Sequence, residues 1–199
     1  METALRSEEY ITPEEYLAAE LVSEERHEYL AGVVYAMAGA SLGHNRIVGN
    51  IAGELRSQLR GKPCEAFATD VKVRIRRQTA EFFYYPDVMV DCTSGADTEY
   101  YAEQPRVIFE VMSPGTARTD REEKLPNYQT LASLDAYVLV DQARVAVTLY
   151  RRTDSGWERE LLTDLATGAI ALPTIGCELP LAAVYERTGL NGSTHPTGA

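Results

Sequence analysis

The stretch RVIFEVMSP, residues 106–114, places one carboxylate inside an apolar run and decides the fold. Glu110 is flanked on both sides by apolar residues: Val107, Ile108, Phe109, Val111 and Met112. A run without polar alternation is typical of a strand that is buried on both faces. An unpaired carboxylate there would cost much free energy. Glu110 is therefore expected to meet a metal ion, meet a cation or lie at the mouth of a cleft.

A second acid lies on the preceding predicted strand, in YYPDVMVD, residues 84–91. Side chains alternate between the two faces of a strand, so Asp87 shares a face with Met89, and Glu110 shares a face with Ile108. If the two strands are neighbours, both carboxylates can converge. Hard oxygen ligands of this kind suit Mg²⁺ or Mn²⁺, which bind through one or two carboxylates, several waters and substrate phosphate.

A lysine follows these acids in TDREEKL, residues 119–125. Near a metal, Lys124 would orient or help deprotonate a water and stabilise the charge that develops on a phosphate in the transition state. The metal would polarise the phosphate and generate hydroxide. Asp87, Glu110 and Lys124 together predict an enzyme that cleaves phosphodiesters.

Composition indicates one globular domain, over residues 1–190, with a disordered tail over residues 191–199. The first residues lack the apolar run of a signal peptide, so we expect a cytoplasmic protein without a membrane span. Cys64, Cys92 and Cys177 are scattered and odd in number, which predicts small core residues rather than a disulfide or a zinc site.

The net charge of −11 argues against a protein that grips DNA phosphates with a basic face. A divalent metal would offset the acidic ligands locally. The basic residues also cluster, in three groups: Arg56, Arg60 and Lys62; Arg74, Arg76 and Arg77; Arg151 and Arg152. Each cluster, taken alone, is better explained as a solvated face.

The order of predicted elements indicates a mixed sheet flanked by helices. Thr12, Pro13 and Glu15 predict the start of a helix by a capping box, and a hairpin turn is expected near Ala31 and Gly32. The further helices are expected over residues 44–60, from 119 or 120 to 131, and briefly near the end. The further strands are expected over residues 65–76, 85–91, 106–112, 137–141, 145–151 and 157–162.

From about Tyr10 to Arg152 the chain resembles the Uma-two family of restriction-endonuclease-like proteins, within the PD-(D/E)xK nuclease superfamily. The matching stretches, in order, are RHEYLAGVVYAMAGASLGHNRI, FATDVKVRI, YYPDVMV, VIFEVMSPGTARTDREEKL and DAYVLVD. The resemblance implies a restriction-endonuclease-like α/β fold with an added N-terminal helix and hairpin. It also implies DNA as substrate, Mg²⁺ or Mn²⁺ as cofactor, and Asp87 and Glu110 as the two acids of the motif.

The sequence departs from the superfamily motif at one position, because Met112 stands where the lysine after Glu110 is expected. The resemblance implies that Lys124 takes over this role from the following helix, although Pro126 could distort that helix. The resemblance also implies that Glu28 is an additional acid near the metal.

Each candidate also has a structural explanation. Asp87 could be a strand-entry residue, Glu110 could form an internal ion pair, Lys124 could be a solvated helix residue, and Glu28 could be an exposed strand residue. His44, Arg74 and Arg118 are candidates for substrate binding, with His44 more typical of a helix start than of a metal ligand. A homodimer is expected because two sites related by a two-fold axis would cut both strands of a duplex.

Two other functions remain open from the sequence. Residues 39–43, GASLG, fit the G-x-S-x-G nucleophile elbow, but about forty residues before Ser41 are too few for that fold. The fold also needs a histidine well after its acid, and the sole histidine after His44 is His195, in the tail. Ser41 could instead cap the next helix. The second alternative is a catalytically silent nuclease fold that serves as a dimeric binding module.

Overall fold

A computed structural model describes residues 10–93, 100–113 and 115–190 of the 199-residue chain. The predicted tail, residues 191–199, lies outside them. The α-helices are α1 (Pro13–Glu20), α2 (Leu42–Leu59), α3 (Ala117–Thr119), α4 (Leu125–Tyr128) and α5 (Leu181–Val184). The first strands are β1 (His27–Leu30), β2 (Val33–Ala36), β3 (Glu65–Ala68), β4 (Lys72–Arg77), β5 (Ala80–Tyr84), β6 (Val88–Asp91) and β7 (Tyr101–Ala102). The later strands are β8 (Pro105–Met112), β9 (Ala136–Asp141), β10 (Val147–Thr153), β11 (Gly156–Leu162), β12 (Ala169–Leu172) and β13 (Cys177–Pro180).

The central sheet has six strands in the order β11-β10-β9-β8-β6-β3. β8 and β9 are parallel, whereas the other neighbours are antiparallel, so the sheet is mixed, as predicted. β8 lies in the middle, and Val107 to Met112 are all buried, as expected for a strand covered on both faces. This central position explains the unbroken apolar run around Glu110.

A second sheet of five strands has the order β2-β1-β5-β4-β7. The sequence predicted one strand over residues 65–76, but the structure divides it into β3 in the central sheet and β4 in the second sheet. Thr69 lies between them with a φ of 67°, a left-handed conformation that ends the extended run. Alternation continues through β4, so the sequence pattern does not reveal this change of sheet. The prediction also omitted β5.

The β1–β2 hairpin turns where the sequence predicted. Ala31 and Gly32 have φ values of 49° and 101°, and a two-residue hairpin turn with both central residues at positive φ matches the twist of its strands. β1 pairs on its other side with β5. The added hairpin is therefore part of the second sheet, and it brings Glu28 towards the centre of the protein.

Two apolar layers cover the central sheet. On one face, α2 packs with Ile47, Ile51 and Leu55 against inward residues of β6 and β8 such as Val88 and Phe109. The other face packs against the second sheet, through a cluster that includes Ile75, Tyr84, Met89, Ile108, Met112 and Tyr137. Since Ile108 and Met112 belong to this second layer, Glu110 points between the two sheets.

The N-terminal helix begins as predicted. The Thr12 hydroxyl accepts from the Glu15 backbone N–H, and the Glu15 carboxylate accepts from the Thr12 N–H at 2.9 Å. Tyr16 then packs with Tyr29 and Phe83 on the outer face of the second sheet. The capping box thus fixes a helix whose buried residue joins the small outer core.

The prediction for the cysteines was wrong for two of the three. Cys64 and Cys92 form a disulfide, whereas Cys177 is a free, buried thiol. β3 and β6 are antiparallel with Glu65 opposite Asp91, so the two cysteines face each other just beyond the paired residues. Their separation of 28 positions in the sequence hid this pairing.

None of the helices within the described residues combines the length and the apolar character that are needed to cross a lipid bilayer.

Candidate active site

Lys124 lies at the centre of a buried group of carboxylates. Its Nζ is 2.8 Å from Glu28 Oε1, 3.3 Å from Glu110 Oε1 and 3.7 Å from Asp120 Oδ1. The exposed fraction of the side chain is only 8% for Lys124 and 5% for Glu110. We refer to Glu28, Asp87, Glu110, Asp120 and Lys124 as the carboxylate–lysine cluster.

Glu110 lies on β8, and Asp87 directly precedes β6, the antiparallel neighbour of β8, although the predicted strand over residues 85–91 included it. Val88 pairs with Phe109, so one further step along the same register sets Asp87 opposite Glu110. Asp87 Oδ2 accepts the backbone N–H of Val111 at 2.6 Å, a short bond to a charged acceptor. The structure therefore brings the two acids together in the way that strand alternation predicted.

Glu28 reaches the cluster from the middle of β1. Its Oε1 accepts the backbone N–H of Tyr85 at 3.1 Å in addition to its contact with Lys124. The backbone of the YYPD segment thus fixes Glu28 and, two residues later, presents Asp87. This places Glu28 inside the cluster, whereas its alternative explanation required an exposed strand residue.

Pro126 does not keep Lys124 away from the site. Residues Asp120–Lys124 form a π-helical turn between α3 and α4, and the Leu125 N–H reaches back to the Asp120 carbonyl. Pro126 is at the start of α4, where its missing N–H is tolerated. Such wide turns occur frequently at functional sites. The predicted single helix to residue 131 is in fact these three short segments.

Negative charge exceeds positive charge in the cluster. Burial is the main cause that raises the pKa of Glu110 well above its ordinary value; Lys124 opposes this, while Asp120, Asp87 and Glu28 add to it. Burial would lower the pKa of Lys124, but its three carboxylate neighbours raise it well above normal, so the lysine is charged. The cluster therefore favours the uptake of a further cation or a proton.

His44 contacts Asp87 from the first turn of α2. His44 Nε2 lies 3.3 Å from Asp87 Oδ2, and Nδ1 is buried without a hydrogen-bond partner among the described residues. Burial lowers the His44 pKa, but the hydrogen bond and the charge of Asp87 outweigh it, so the pKa is raised. His44 thus lies beside Asp87, a candidate metal ligand, and can carry a positive charge there.

The other two candidates for substrate binding lie apart from the cluster. The Arg74 guanidinium binds Glu81 at 2.8 Å and the Tyr101 hydroxyl at 3.1 Å within the second sheet. Arg118 is 82% exposed and pairs with Glu122 at 3.5 Å. The geometry does not bring either of them to the carboxylates.

Sequence reasoning missed Asp120 as a member of the site. It lies four positions before Lys124, a spacing that brings side chains together on a helix, and this signal was available. Tyr128, which is fully buried, donates from its hydroxyl to Glu110 Oε1 at 3.4 Å. Tyr137 supports the π-helical turn by donating to the Asp120 carbonyl at 3.0 Å.

The donors of the cluster suit a divalent cation that keeps most of its waters. Within the described residues, the side-chain hydrogen bonds and ion pairs of Asp87 and Glu110 involve Asp87 Oδ2 and Glu110 Oε1. Asp87 Oδ1 and Glu110 Oε2 take no part in these contacts and are candidate metal ligands. Among the described residues, no group of three or more His, Cys, Asp or Glu side chains is arranged so that it could hold a metal ion. A site with two carboxylates fits Mg²⁺ or Mn²⁺ better than zinc.

Ser41 has a structural role. Its hydroxyl accepts the His44 N–H at 3.1 Å as the N-cap of α2, and it also donates to Gln142 Oε1 at 3.1 Å. His195, the histidine that a hydrolase would need, lies outside the described residues. Capping, the alternative weighed from the sequence, accounts for the GASLG segment.

These elements define a restriction-endonuclease-like α/β fold. A crystal structure of a "putative nuclease belonging to DUF820" from Anabaena variabilis superposes with a TM-score of 0.71, covering 88% of this chain and 97% of that one at 16% identity. At this identity the likeness concerns the fold. The family model for Uma2, "Putative restriction endonuclease", matches residues 13–182, so the chain belongs to the Uma2 family.

Two curated relatives come from Synechocystis sp. and are both uncharacterized proteins. The protein slr1290 is 31% identical over 177 residues, which cover 88% of this chain and 92% of the relative. The protein sll1609 is 33% identical over 159 residues, which cover 78% and 87%. The chain thus matches nearly the whole length of its relatives.

Proposed function

We propose that this protein is a metal-dependent endonuclease that hydrolyses phosphodiester bonds of DNA. The observation that carries the proposal is the contact of Lys124 Nζ with Glu110 Oε1, at 3.3 Å, on a strand paired with the one that follows Asp87. Two acids and a lysine that are grouped beside the central sheet match the chemistry of phosphoryl hydrolysis. The family and the fold agree with this chemistry.

In this proposal Asp87 and Glu110 are the residues that would hold Mg²⁺ or Mn²⁺. When bound, the ion polarises the phosphate and lowers the pKa of a coordinated water. Lys124 orients the attacking water and offsets the negative charge of the transition state. Glu28 fixes the position of Lys124 and serves as an additional acid near the metal. His44 contacts substrate or holds the Asp87 carboxylate in place.

The charge balance of the protein shapes how it would meet DNA. With a net charge of −11, the chain as a whole repels a polyanion, so binding has to rely on local basic groups and on the metal. We propose a homodimer in which two such sites act on the two strands of a duplex. The same reasoning predicts that nicking weakens steeply as salt is raised.

The direct test is a gel assay for nicking of supercoiled DNA in Mg²⁺, Mn²⁺ or EDTA. Wild-type protein should nick only with metal, and Lys124→Ala should not nick. Lys62→Ala is the matched control, because Lys62 is exposed and donates to the Gly176 carbonyl far from the cluster. Absence of nicking by folded wild-type protein in both metals would favour the silent binding module.

Calorimetry separates metal binding from cleavage. Titration of Mg²⁺ or Mn²⁺ into the wild-type protein should give a heat signal that saturates as the site fills. The Asp87→Ala variant should show no such signal. Unchanged metal binding in Asp87→Ala would contradict the proposed ligand set, whatever the gel assay shows.

A further inference from the structure

A concave surface without acidic lining residues lies at the tip of the β4–β5 hairpin. It has a volume of about 580 Å³ and is lined by residues 76–80, Phe82 and Thr130. Arg76 and Arg77 are its charged lining residues, so the surface is positive although the chain carries −11 overall. A positive concavity on an acidic protein indicates a site for an anionic ligand.

The three arginines of β4 differ in whether a carboxylate neutralises their charge. Arg74 is neutralised by Glu81 at 2.8 Å, and Arg76 is paired with Glu103 at 3.0 Å. Within the described residues, Arg77 forms no ion pair with a carboxylate; its Nη1 donates to Asn127 Oδ1 at 3.0 Å. One N–H of the Arg77 fork is thereby fixed, and the others can bind an anion.

Arg77 is connected to the carboxylate–lysine cluster through two side chains. Asn127 accepts from Arg77 and donates from Nδ2 to the Tyr84 hydroxyl at 2.7 Å. The Tyr84 ring in turn lies 5.6 Å from Lys124 Nζ, measured to the ring centroid. Two buried side chains, Asn127 and Tyr84, therefore link the concavity to the proposed site of cleavage.

We propose that this concavity binds the DNA backbone and that Arg77 contacts a phosphate close to the scissile one. The proposal rests on the proposed nuclease function and names its substrate-binding surface. Successive phosphates of one strand lie about 3.4 Å apart along the helix axis, so in this proposal Arg77 meets a phosphate a few positions along the strand that is cleaved at the cluster. The Gln78 and Thr79 side chains supply neutral donors beside Arg77.

The binding test uses full-length protein in EDTA, so that affinity is measured without cleavage. The probe is a fluorescein-labelled DNA duplex, followed by anisotropy over a series of salt concentrations. Arg77→Ala should weaken binding to unrelated sequences by a similar factor and reduce the salt slope by about one unit. Arg159→Ala, an exposed arginine on the edge strand β11, is the matched control and should bind as wild type.

A second variant guards against a structural effect of losing the Arg77–Asn127 bond. Thr79→Glu places a negative charge in the concavity and leaves that bond intact, so it should also weaken binding. Wild-type affinity and salt slope in both variants would overturn the proposal, even if the protein nicks DNA. Protection of Arg77 from a guanidinium reagent by inorganic phosphate, but not by duplex, would overturn it as well, since the site would then bind a small anion.

The two proposals fail in different ways. Binding that depends on Arg77, without nicking by the wild type, supports the surface and contradicts the nuclease activity. Nicking with unchanged binding in both variants supports the activity and contradicts the surface. No measurable affinity of the folded wild type for any duplex contradicts both.

Discussion

Lys124 Nζ lies 2.8 Å from Glu28 Oε1. This ion pair joins the π-helical turn that follows the central strand β8 to strand β1 of the second sheet. The same Glu28 oxygen accepts the Tyr85 N–H just before Asp87. One carboxylate therefore fixes the lysine and the segment that precedes Asp87 together. This relationship makes Lys124 the most informative position to change.

Lys124→Met should separate metal binding from catalysis. The change keeps the volume of the side chain and removes the one lysine charge that contacts three carboxylates. We expect tighter Mg²⁺ binding, because repulsion between cations is lost, together with nicking that is slower by roughly 10²–10³-fold. Calorimetry and timed nicking assays measure the two effects. Nicking at the wild-type rate would remove Lys124 from the mechanism.

The same variant should be less stable without metal. Removing one partner of a buried ion pair leaves uncompensated charge and typically costs about 3–5 kcal/mol of unfolding free energy. Urea unfolding in EDTA measures this loss, and saturating Mg²⁺ should recover part of it. Lys62→Met is the control and should unfold as wild type.

Stability of the metal-free protein should fall as pH rises from acidic to neutral values. Burial raises the pKa of Glu110 above its ordinary 4.5, and burial likewise raises the pKa of Asp120 above 3.8. An acid whose pKa is raised in the folded state contributes its full stabilisation below its pKa in the unfolded state. This contribution is lost as the pH rises through its pKa in the folded state. Lys124, with its own pKa raised above 10.5, keeps its contribution across this range.

The measurement for this pH effect is urea unfolding in EDTA at a series of pH values from below 4.5 to neutral. Glu110→Gln should flatten the decline, because the amide does not titrate. A wild-type profile that instead rises with pH over this interval would show that the cluster releases protons on folding.

A buried polar chain beside the site should contribute to stability. Lys72 Nζ donates to the Tyr85 hydroxyl at 3.1 Å, and this hydroxyl donates to Glu20 Oε1 at 2.9 Å. Tyr85→Phe leaves two buried polar groups without this partner, so we expect a loss of about 1–3 kcal/mol in unfolding free energy. Tyr35→Phe, on β2, is the matched control. Equal stability of the two variants would show that water replaces the hydroxyl.

The Cys64–Cys92 disulfide should be detectable by counting thiols. Of the three cysteines, denatured protein without reductant should show one free thiol, from Cys177, and reduced protein should show three. Reduction should lower the unfolding free energy by about 2–4 kcal/mol, because the bond closes a loop between residues 28 positions apart. Cys64→Ser should unfold like the reduced protein, and three free thiols before reduction would contradict the pairing.

Sequence alone determined the buried central strand β8 and the faces on which the two acids lie. An unbroken apolar run indicates a strand covered on both faces, and alternation orients Asp87 and Glu110, since both patterns are local properties of the chain. The capping box at Thr12 and the turn at Ala31 were predictable for the same reason.

Only the tertiary structure decided what surrounds those acids. The change of sheet at Thr69 depends on a single left-handed residue, and alternation continues across it. Glu28 reaches Lys124 because β1 pairs with β5 in a second sheet, a long-range pairing that no local pattern specifies. Lys124 turns inward through a π-helical turn, where buried carboxylates compensate the cost of burying its charge. The acids follow from strand periodicity, whereas the position of the lysine follows from packing and charge compensation between distant segments.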